Sequence, residues 1–245
     1  MNVLIRFSFL GENFYGTQKQ SDKPSIQGLF EDLLSRLYDT KVKVTIASRL
    51  DRSVNAFDFA INFLTPKETI TLDHLSYYLR RSLPRDIFLK EVREAPESFS
   101  SRYSSLYKQY LYLIQNTEEK NPLLNRFTYV PKGVLDSSKI KEALSVMEGK
   151  HDFRFFANLE EEKNTLLTLE KAWVEEKDGF LFLRFRAPSF LRYEVRFLVG
   201  AALSYEKNKI SLATIQTLLE GKEVPYPKIK AEPQGLMLEH IEYGF

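Results

Sequence analysis

Strand-type and helix-type patterns of hydrophobic residues follow one another in the same order in each half of this chain. This repeat constrains the fold more than any other sequence feature. In the first half, a strand-length apolar run precedes residues that recur every three or four positions, as on one face of a helix. Two alternating runs, a second helical stretch and a further strand follow, and Ser25 is a candidate N-cap. These elements are expected at 3–10, 26–38, 41–47, 57–64, 72–83 and 87–92.

The second half repeats this order with one additional helix. Asp178-Gly179 between two apolar runs is typical of a β-hairpin turn, and Ser137 and Ser138 are candidate caps for the first helix of this half. The order is therefore β-α-β-β-α-α-β. The elements are expected at 106–115, 140–147, 166–176, 179–187, 191–206, 212–219 and 235–243.

Two β-α-β-β-α-β strings predict an α+β protein made of two ferredoxin-like lobes. The two halves share almost no sequence, so the repeat is inferred from element order alone. We expect lobes at 1–100 and 101–245, and the short connection at 94–103 favours two lobes that share a cleft.

Composition excludes several classes of protein. Hydrophobic residues make up 43% of the chain, which excludes a disordered chain. Without cysteine there is no disulfide, thiolate nucleophile or sulfur-bound metal, and three scattered histidines offer little to a metal centre. No apolar run reaches the roughly 18–20 residues of a membrane span, and Met1 leads directly into a strand pattern. We therefore expect a cytoplasmic protein without a signal peptide and without a metal centre built on cysteine or histidine.

The net charge of +2 excludes a uniformly basic protein, but cations gather locally. The windows 98–112 and 180–197 alternate tyrosine or phenylalanine with lysine or arginine, and Arg80, Arg81 and Arg85 form a third group. Cations that follow phosphates beside rings that stack on bases suit single-stranded RNA. The alternative is structural, because alternate residues of a strand also divide between core and solvent.

One loop between two predicted strands has the residues for chemistry. Asp51 lies between Arg49 and Arg52, and nearby guanidinium groups favour an ionised carboxylate. An ionised carboxylate without a partner acid suits a nucleophile or an electrostatic catalyst better than a general acid. The alternative is a turn-forming aspartate in a solvated ion pair.

Seven segments, in order along the whole chain, match the motifs of one enzyme family. They are Tyr15-Gly16-Thr17-Gln18, Ser25 to Glu31, Ser48 to Ala56, Lys108 to Tyr112, Gly149 to Phe153, Phe190 to Gly200 and Ala231 to Leu236. On these motifs the chain resembles the bacterial tRNA pseudouridine synthase A family. The resemblance implies the pseudouridine synthase fold, with two ferredoxin-like lobes joined across a basic cleft, in a homodimer.

The resemblance also implies an activity and a site. The activity is cofactor-free isomerisation of uridine to pseudouridine in the tRNA anticodon stem-loop, at positions 38, 39 and 40. Asp51 corresponds to the catalytic aspartate, Arg49 and Arg196 to basic residues around it, with Arg196 pairing the carboxylate from the other lobe, and Tyr110 to the ring that stacks on uracil. The candidate RNA-binding residues are Tyr110, Arg52, Arg102, Lys108, Gln18, Arg80 and Arg81.

The aspartate motif departs from the family pattern at several positions. Serine replaces glycine at Ser48 and Ser53, leucine replaces threonine at Leu50, and asparagine replaces histidine at Asn55. Since glycine often supplies a positive φ, these changes could alter a tight turn. They favour, as an alternative, a catalytically silent RNA-binding or tRNA-chaperoning paralogue. A metal enzyme built on His151-Asp152 is a third reading, without a second ligand cluster to support it.

Overall fold

A computed structural model describes residues 1–66, 70–159 and 164–245 of the chain. The described residues form two compact units, 1–106 together with 238–245, and 107–237. The sequence interpretation placed the boundary near 100 and assigned the final strand to the second lobe, whereas most of that strand belongs to the first unit.

The first unit has the predicted order of elements. They are β1 (Asn2–Phe9), α1 (Ile26–Tyr38), β2 (Thr45–Ile46), β3 (Asn55–Leu64), α2 (Leu72–Ser82) and β4 (Ile87–Ala95). The strands run antiparallel in the order β4-β1-β3-β2, and this arrangement agrees with the ferredoxin-like unit predicted from the order of elements. The final strand, β10 (Leu236–Tyr243), also lies beside β3.

Helix α1 buries the face that its spacing predicts. Ile26, Phe30 and Leu34 are fully buried, and the ring of Phe30 lies 4.5 Å from that of Phe7 on β1. Ser25 caps the helix by accepting a hydrogen bond from the Gly28 amide, as expected. The core of this unit therefore lies between the helices and one face of the sheet.

The strand expected at 41–47 forms only at Thr45 and Ile46, because nearby backbone donors are used elsewhere. The amide of Val42 donates to Ser35 Oγ of α1 at 2.9 Å, and that of Val44 donates to Glu31 Oε1 at 3.4 Å. Side chains of α1 thus replace the strand partner that these amides would otherwise need.

The second unit follows its predicted order with two more strands than expected, because an additional strand forms at Gly149–Asp152 and the strand expected at 166–176 is divided into two. Its elements are β5 (Ser105–Gln115), α3 (Ser137–Ser145), β6 (Gly149–Asp152), β7 (Leu166–Leu169), β8 (Lys171–Lys177), β9 (Phe180–Ala187), α4 (Glu194–Glu206) and α5 (Leu212–Leu219), and 3-10 turns lie at Pro122–Leu124 and Phe153–Phe156. β5, β9 and β8 pair antiparallel in that order, and the β8–β9 hairpin turns through Asp178 and Gly179, both with positive φ, as predicted.

Three boundaries in this unit differ from the sequence interpretation. The single strand expected at 166–176 divides at Glu170, since β7 pairs with β6 and β8 pairs with β9. Asp136, rather than Ser137 or Ser138, caps α3, because its Oδ1 accepts from the amides of Ser138 and Lys139. The helix expected from 191 begins at Glu194, because Tyr193 before it has a left-handed backbone.

Candidate active site

The loop that carries Asp51 connects β2 to β3 in the first unit. The side chains of Leu50 and Val54 are buried, Asp51 is half-buried, and Arg49 and Arg52 are exposed. The apolar residues therefore anchor the loop while its charged groups face outward. Of the predicted catalytic residues, the structure places Asp51 and Arg49 together on this loop.

Thr17 fixes the first half of the loop. Its Oγ1 donates to the Ser48 carbonyl at 2.8 Å and accepts from the Leu50 amide at 2.9 Å. The Thr17 amide also donates to the Leu50 carbonyl at 3.1 Å, and the Thr17 side chain is fully buried. The backbone before Asp51 is therefore held on three hydrogen bonds to one residue.

Gly11 and Asn55 fix the second half. Asn55 Oδ1 accepts from the Gly11 amide at 2.9 Å, and the Ser53 amide donates to the Gly11 carbonyl at 3.3 Å. A Cβ at Gly11 would lie 2.1 Å from the Val54 carbonyl oxygen, so only glycine fits this approach. Asp51 is thus presented on a loop that is held on both sides.

The departures from the family motif are accommodated in this loop. Ser53 keeps a left-handed backbone, with φ 66°, at a position where the family pattern has glycine. The Asn55 side chain accepts the hydrogen bond from the Gly11 amide, and Leu50 is buried, so each of these residues has a structural part in the turn. The loss of glycine at Ser53 therefore leaves the positive φ in place.

Tyr15 is a candidate contact that the sequence interpretation did not single out. The residue is 37% exposed, and Arg52 Cζ lies 4.5 Å and Lys23 Nζ 5.0 Å from the centroid of its ring. Cations over the face of an exposed ring are an arrangement that suits nucleic acid. Gln18 is exposed on the same connection between β1 and α1, and the aromatic residue beside Gly16 was the signal available.

The other predicted RNA contacts of the first unit lie at two ends of its sheet. The backbone carbonyl of Asp86, just after α2, accepts from the Leu10 amide at 2.9 Å. The end of α2 with the exposed Arg80 and Arg81 therefore lies at the end of the sheet that carries the Asp51 loop. The segment that carries exposed Arg102 lies at the opposite end of the strands, where Asn2 Nδ2 donates to the Phe99 carbonyl. The length of β1, roughly 23 Å, separates the two ends.

Tyr110 and Lys108 lie in the second unit on β5. Both side chains are buried, and they are opposite Phe185 and Ala187 of β9 in the antiparallel register. The Tyr110 ring meets Phe190 edge to face, at 5.0 Å between centroids and 85° between planes. Phe190 therefore fixes the orientation of the ring that the resemblance assigns to uracil.

Arg196, on α4 in the second unit, is buried and clamped to a neighbouring segment. Its Nε donates to the Ala231 carbonyl at 2.7 Å, while the Ala231 amide donates to the Arg196 carbonyl at 3.0 Å. Tyr112 is anchored beside it, because its hydroxyl donates to the Glu232 carbonyl at 3.0 Å. Burial raises the pKa of Tyr112, and the positive charge of Arg196 acts in the opposite direction.

Glu194 begins α4 and is a buried carboxylate that the sequence interpretation missed. It is 2% exposed, and its Oε2 accepts from the Leu191 amide at 2.7 Å while its own amide donates to the Leu191 carbonyl at 3.2 Å. Burial raises the pKa of Glu194 to about 8, even though the Leu191 amide favours the ionised form. The carboxylate closes the turn between Phe190 and Arg196.

The His151-Asp152 pair is used structurally. A ring nitrogen of His151 lies 2.8 Å from the Glu148 carbonyl, and Asp152 forms an ion pair with Arg154. Across the described ranges, no group of three or more potential ligand residues could hold a metal ion. The third reading therefore receives no support from the geometry.

Comparison with known proteins identifies the class of enzyme. Residues 143–244 match a family model described as tRNA pseudouridine synthase. A protein named tRNA pseudouridine synthase A from Aquifex aeolicus is 38% identical over 241 residues, covering 98% of each chain, and one of the same name from Dictyoglomus thermophilum is 32% identical over 99% of this chain and all of its own. The chain belongs to the tRNA pseudouridine synthase A family, a family of isomerases.

A solved structure described as pseudouridylate synthase aligns with 81% of this chain and 57% of its own, at 15% identity and a TM-score of 0.32. The helices and strands of the described residues confirm the predicted α+β class, and the relatives from Aquifex aeolicus and Dictyoglomus thermophilum confirm the predicted family. Within the residues that the structure describes, no helix has the length and apolar character needed to cross a membrane.

Proposed function

We propose that this chain isomerises uridine to pseudouridine at positions 38, 39 and 40 of the tRNA anticodon stem-loop, in the cytoplasm, as a homodimer and without a cofactor. The observation that carries the proposal is the Asp51 loop. Hydrogen bonds from Thr17, Gly11 and Asn55 hold the backbone on both sides of a half-buried carboxylate that has an exposed arginine on each side. A carboxylate held in this way is suited to act on a sugar carbon without reorganising.

The reaction assigns a role to each predicted residue. The bond between C1′ and N1 of uridine breaks, the uracil rotates, a bond forms between C1′ and C5, and the C5 proton leaves while N1 gains a proton. Ionised Asp51 either attacks C1′ or removes a sugar proton to form a glycal, and both routes need the same carboxylate. Arg49 and Arg196 supply positive charge, and Tyr110 stacks on the uracil.

A uridine in a stem must leave the base stack before it can react, at a cost of a few kcal/mol. We assign Arg52, Arg102, Lys108, Gln18, Arg80 and Arg81 to the RNA, where contacts with phosphate offset this cost. The exposure of all of these side chains except that of Lys108 supports the assignment.

The test is tritium release from C5-labelled uridine in unmodified tRNA. Asp51→Ala and Asp51→Asn are expected to abolish release and to leave tRNA affinity within a few-fold of wild type. Asp39→Asn, the same chemical change at the exposed C-cap of α1, is the control and keeps wild-type turnover. An Asp51 variant with wild-type turnover would exclude the assignment, and wild-type protein that binds tRNA without release would identify a silent RNA-binding paralogue.

The role of Arg196 has a separate comparison. Arg196→Ala is expected to lower the single-turnover rate more than Arg184→Ala does, because Arg184 pairs with Glu175 on the sheet at 3.0 Å. A larger defect for Arg184→Ala would remove Arg196 from the reaction.

A further inference from the structure

At the start of α4, two aromatic rings are surrounded by cations. Lys230 Nζ lies 4.0 Å from the Tyr193 ring centroid and Arg192 Cζ lies 4.8 Å from it. One turn along the helix, Lys228 Nζ lies 4.9 Å from the Phe197 ring, which meets the Tyr193 ring edge to face. We call these five residues the Tyr193 patch.

The patch has a fixed geometry. Arg196 and Ala231 exchange backbone and side-chain hydrogen bonds, so the segment 228–231 is clamped against the first turn of α4. The Ile229 amide donates to the Pro227 carbonyl at 2.7 Å, which makes a tight turn at Lys228, and the Lys228 ammonium donates to the Ala157 carbonyl at 2.8 Å. These contacts hold Lys228 beside Phe197, and Lys230 lies beside Tyr193, before any ligand arrives.

Tyr193 also has a backbone that L-residues rarely adopt. Its φ is 66° and its ψ is 3°, a left-handed conformation that is sterically unfavourable for residues other than glycine. Such strain persists where the surroundings over-determine it and is concentrated at ligand sites. The Arg192 guanidinium donates to the Tyr193 hydroxyl at 3.0 Å and adds to these surroundings.

We propose that the Tyr193 patch binds the ribose-phosphate backbone of the RNA substrate, which adds a further RNA contact in the second unit to those assigned to Tyr110 and Lys108. This inference rests on the proposed function for its ligand. Lys230 and Lys228 are exposed cations, while the one acid between Arg192 and Phe197, Glu194, is buried. Because cations already lie over the rings, the patch provides charge for phosphates rather than an open face for a stacked base.

The test measures affinity for an unmodified tRNA transcript at several KCl concentrations. Lys230→Gln and Lys228→Gln are each expected to weaken binding about fivefold and to reduce the slope of log affinity against log salt by about 1. Lys209→Gln, an exposed lysine beyond the other end of α4, is the control, and Lys230→Arg keeps the charge and the affinity. Because the proposed role is in binding, the loss for each glutamine variant should be larger in affinity than in the single-turnover rate at saturating enzyme.

If Lys230→Gln and Lys228→Gln have the affinity and salt slope of Lys209→Gln, the proposal is overturned. A loss confined to the single-turnover rate at saturating enzyme would overturn it too. Loss of binding to polyglutamate with unchanged tRNA affinity would assign the patch to an acidic protein instead. If Lys230→Gln fails to fold, Lys228→Gln and Lys230→Arg decide the question. Binding is measured without turnover. A wild-type protein that binds tRNA but releases no tritium would therefore contradict the proposed function, while the affinities of the variants would still test the patch.

Discussion

The Asp51 loop and the start of α4 hold the residues proposed for the site by different means. In the first unit, Asp51 lies on a loop fixed by hydrogen bonds from Thr17, Gly11 and Asn55. In the second unit, Arg196 lies on a helix whose first turn is buried and clamped to a neighbouring segment. A hydrogen-bonded loop tolerates a change of side chain wherever its polar partners remain, whereas a packed helix resists added volume and buried charge. We therefore expect substitutions in the two regions to lower stability or turnover for different physical reasons.

The largest expected effect is the pH dependence that Glu194 adds to the packed region. The pKa of this buried carboxyl is about 8, against 4.5 for the ordinary group, so between these values the unfolded state holds fewer protons than the folded state. The free energy of unfolding therefore falls as pH rises, and Glu194→Gln, which does not titrate, gains on wild type by about 3 kcal/mol between pH 5 and pH 8. Urea unfolding of both proteins at several pH values measures this difference.

A packing defect of the glutamine amide costs the same at every pH, so it does not affect this comparison. Glu142→Gln, on the exposed surface of α3, is the control and should run parallel to wild type. A constant difference between Glu194→Gln and wild type would mean that Glu194 is ionised in the folded protein across the range.

The second prediction adds volume to the packed region. A Cβ at Gly200 would lie 1.9 Å from the Ile229 carbonyl oxygen. Gly200→Ala therefore forces α4 away from the segment 228–231, whose hydrogen bonds fix Arg196. We expect a loss of about 3 kcal/mol in the free energy of unfolding. Gly133→Ala is the control, because a Cβ there meets no atom within 4 Å. Equal stability of the two variants in urea would show that the helix start is not closely packed.

The third prediction removes polar partners from the loop. Thr17→Val keeps the shape but leaves the Leu50 amide and the Ser48 carbonyl without the hydroxyl, which should cost about 2 kcal/mol of stability. Because the backbone before Asp51 is then free to shift, turnover should fall about tenfold. Thr17→Ser restores the hydroxyl and should recover both properties. Wild-type turnover in Thr17→Val would mean that Asp51 does not depend on this anchor.

The elements of the first unit could be predicted because hydrophobic period depends on neighbours in sequence, as at Ile26, Phe30 and Leu34 of α1. The length of β2 could not, because Val42 and Val44 donate to side chains of α1 seven and thirteen residues away. The site follows the same division. The assignment of Asp51 is a prediction from its flanking arginines and a family resemblance. The anchor that holds it comes from Thr17, 31 residues before Ser48, and no local pattern indicates that contact.

The second unit adds two features that sequence could not provide. The left-handed backbone of Tyr193 falls on a residue type with no preference for it, so the helix was expected to begin earlier. The depth of Glu194 was hidden because a glutamate at a helix start usually faces solvent, where it favours the helix dipole. Both features depend on packing around α4, which spacing alone does not describe.

The smallest expected effect separates the two serines that stand where the family pattern has glycine. Ser53 has φ 66°, so Ser53→Gly relieves a left-handed backbone, and this gain exceeds the entropy that glycine adds to the unfolded chain by about 0.5 kcal/mol. Ser48 is absent from the described residues with positive φ, so Ser48→Gly adds entropy without relief and should destabilise by about 0.5–1 kcal/mol. Urea unfolding should give opposite signs. If both variants shift in one direction, the conformation at Ser53 is not what the family glycine supplies, and the tolerance of this loop must come from its hydrogen bonds alone.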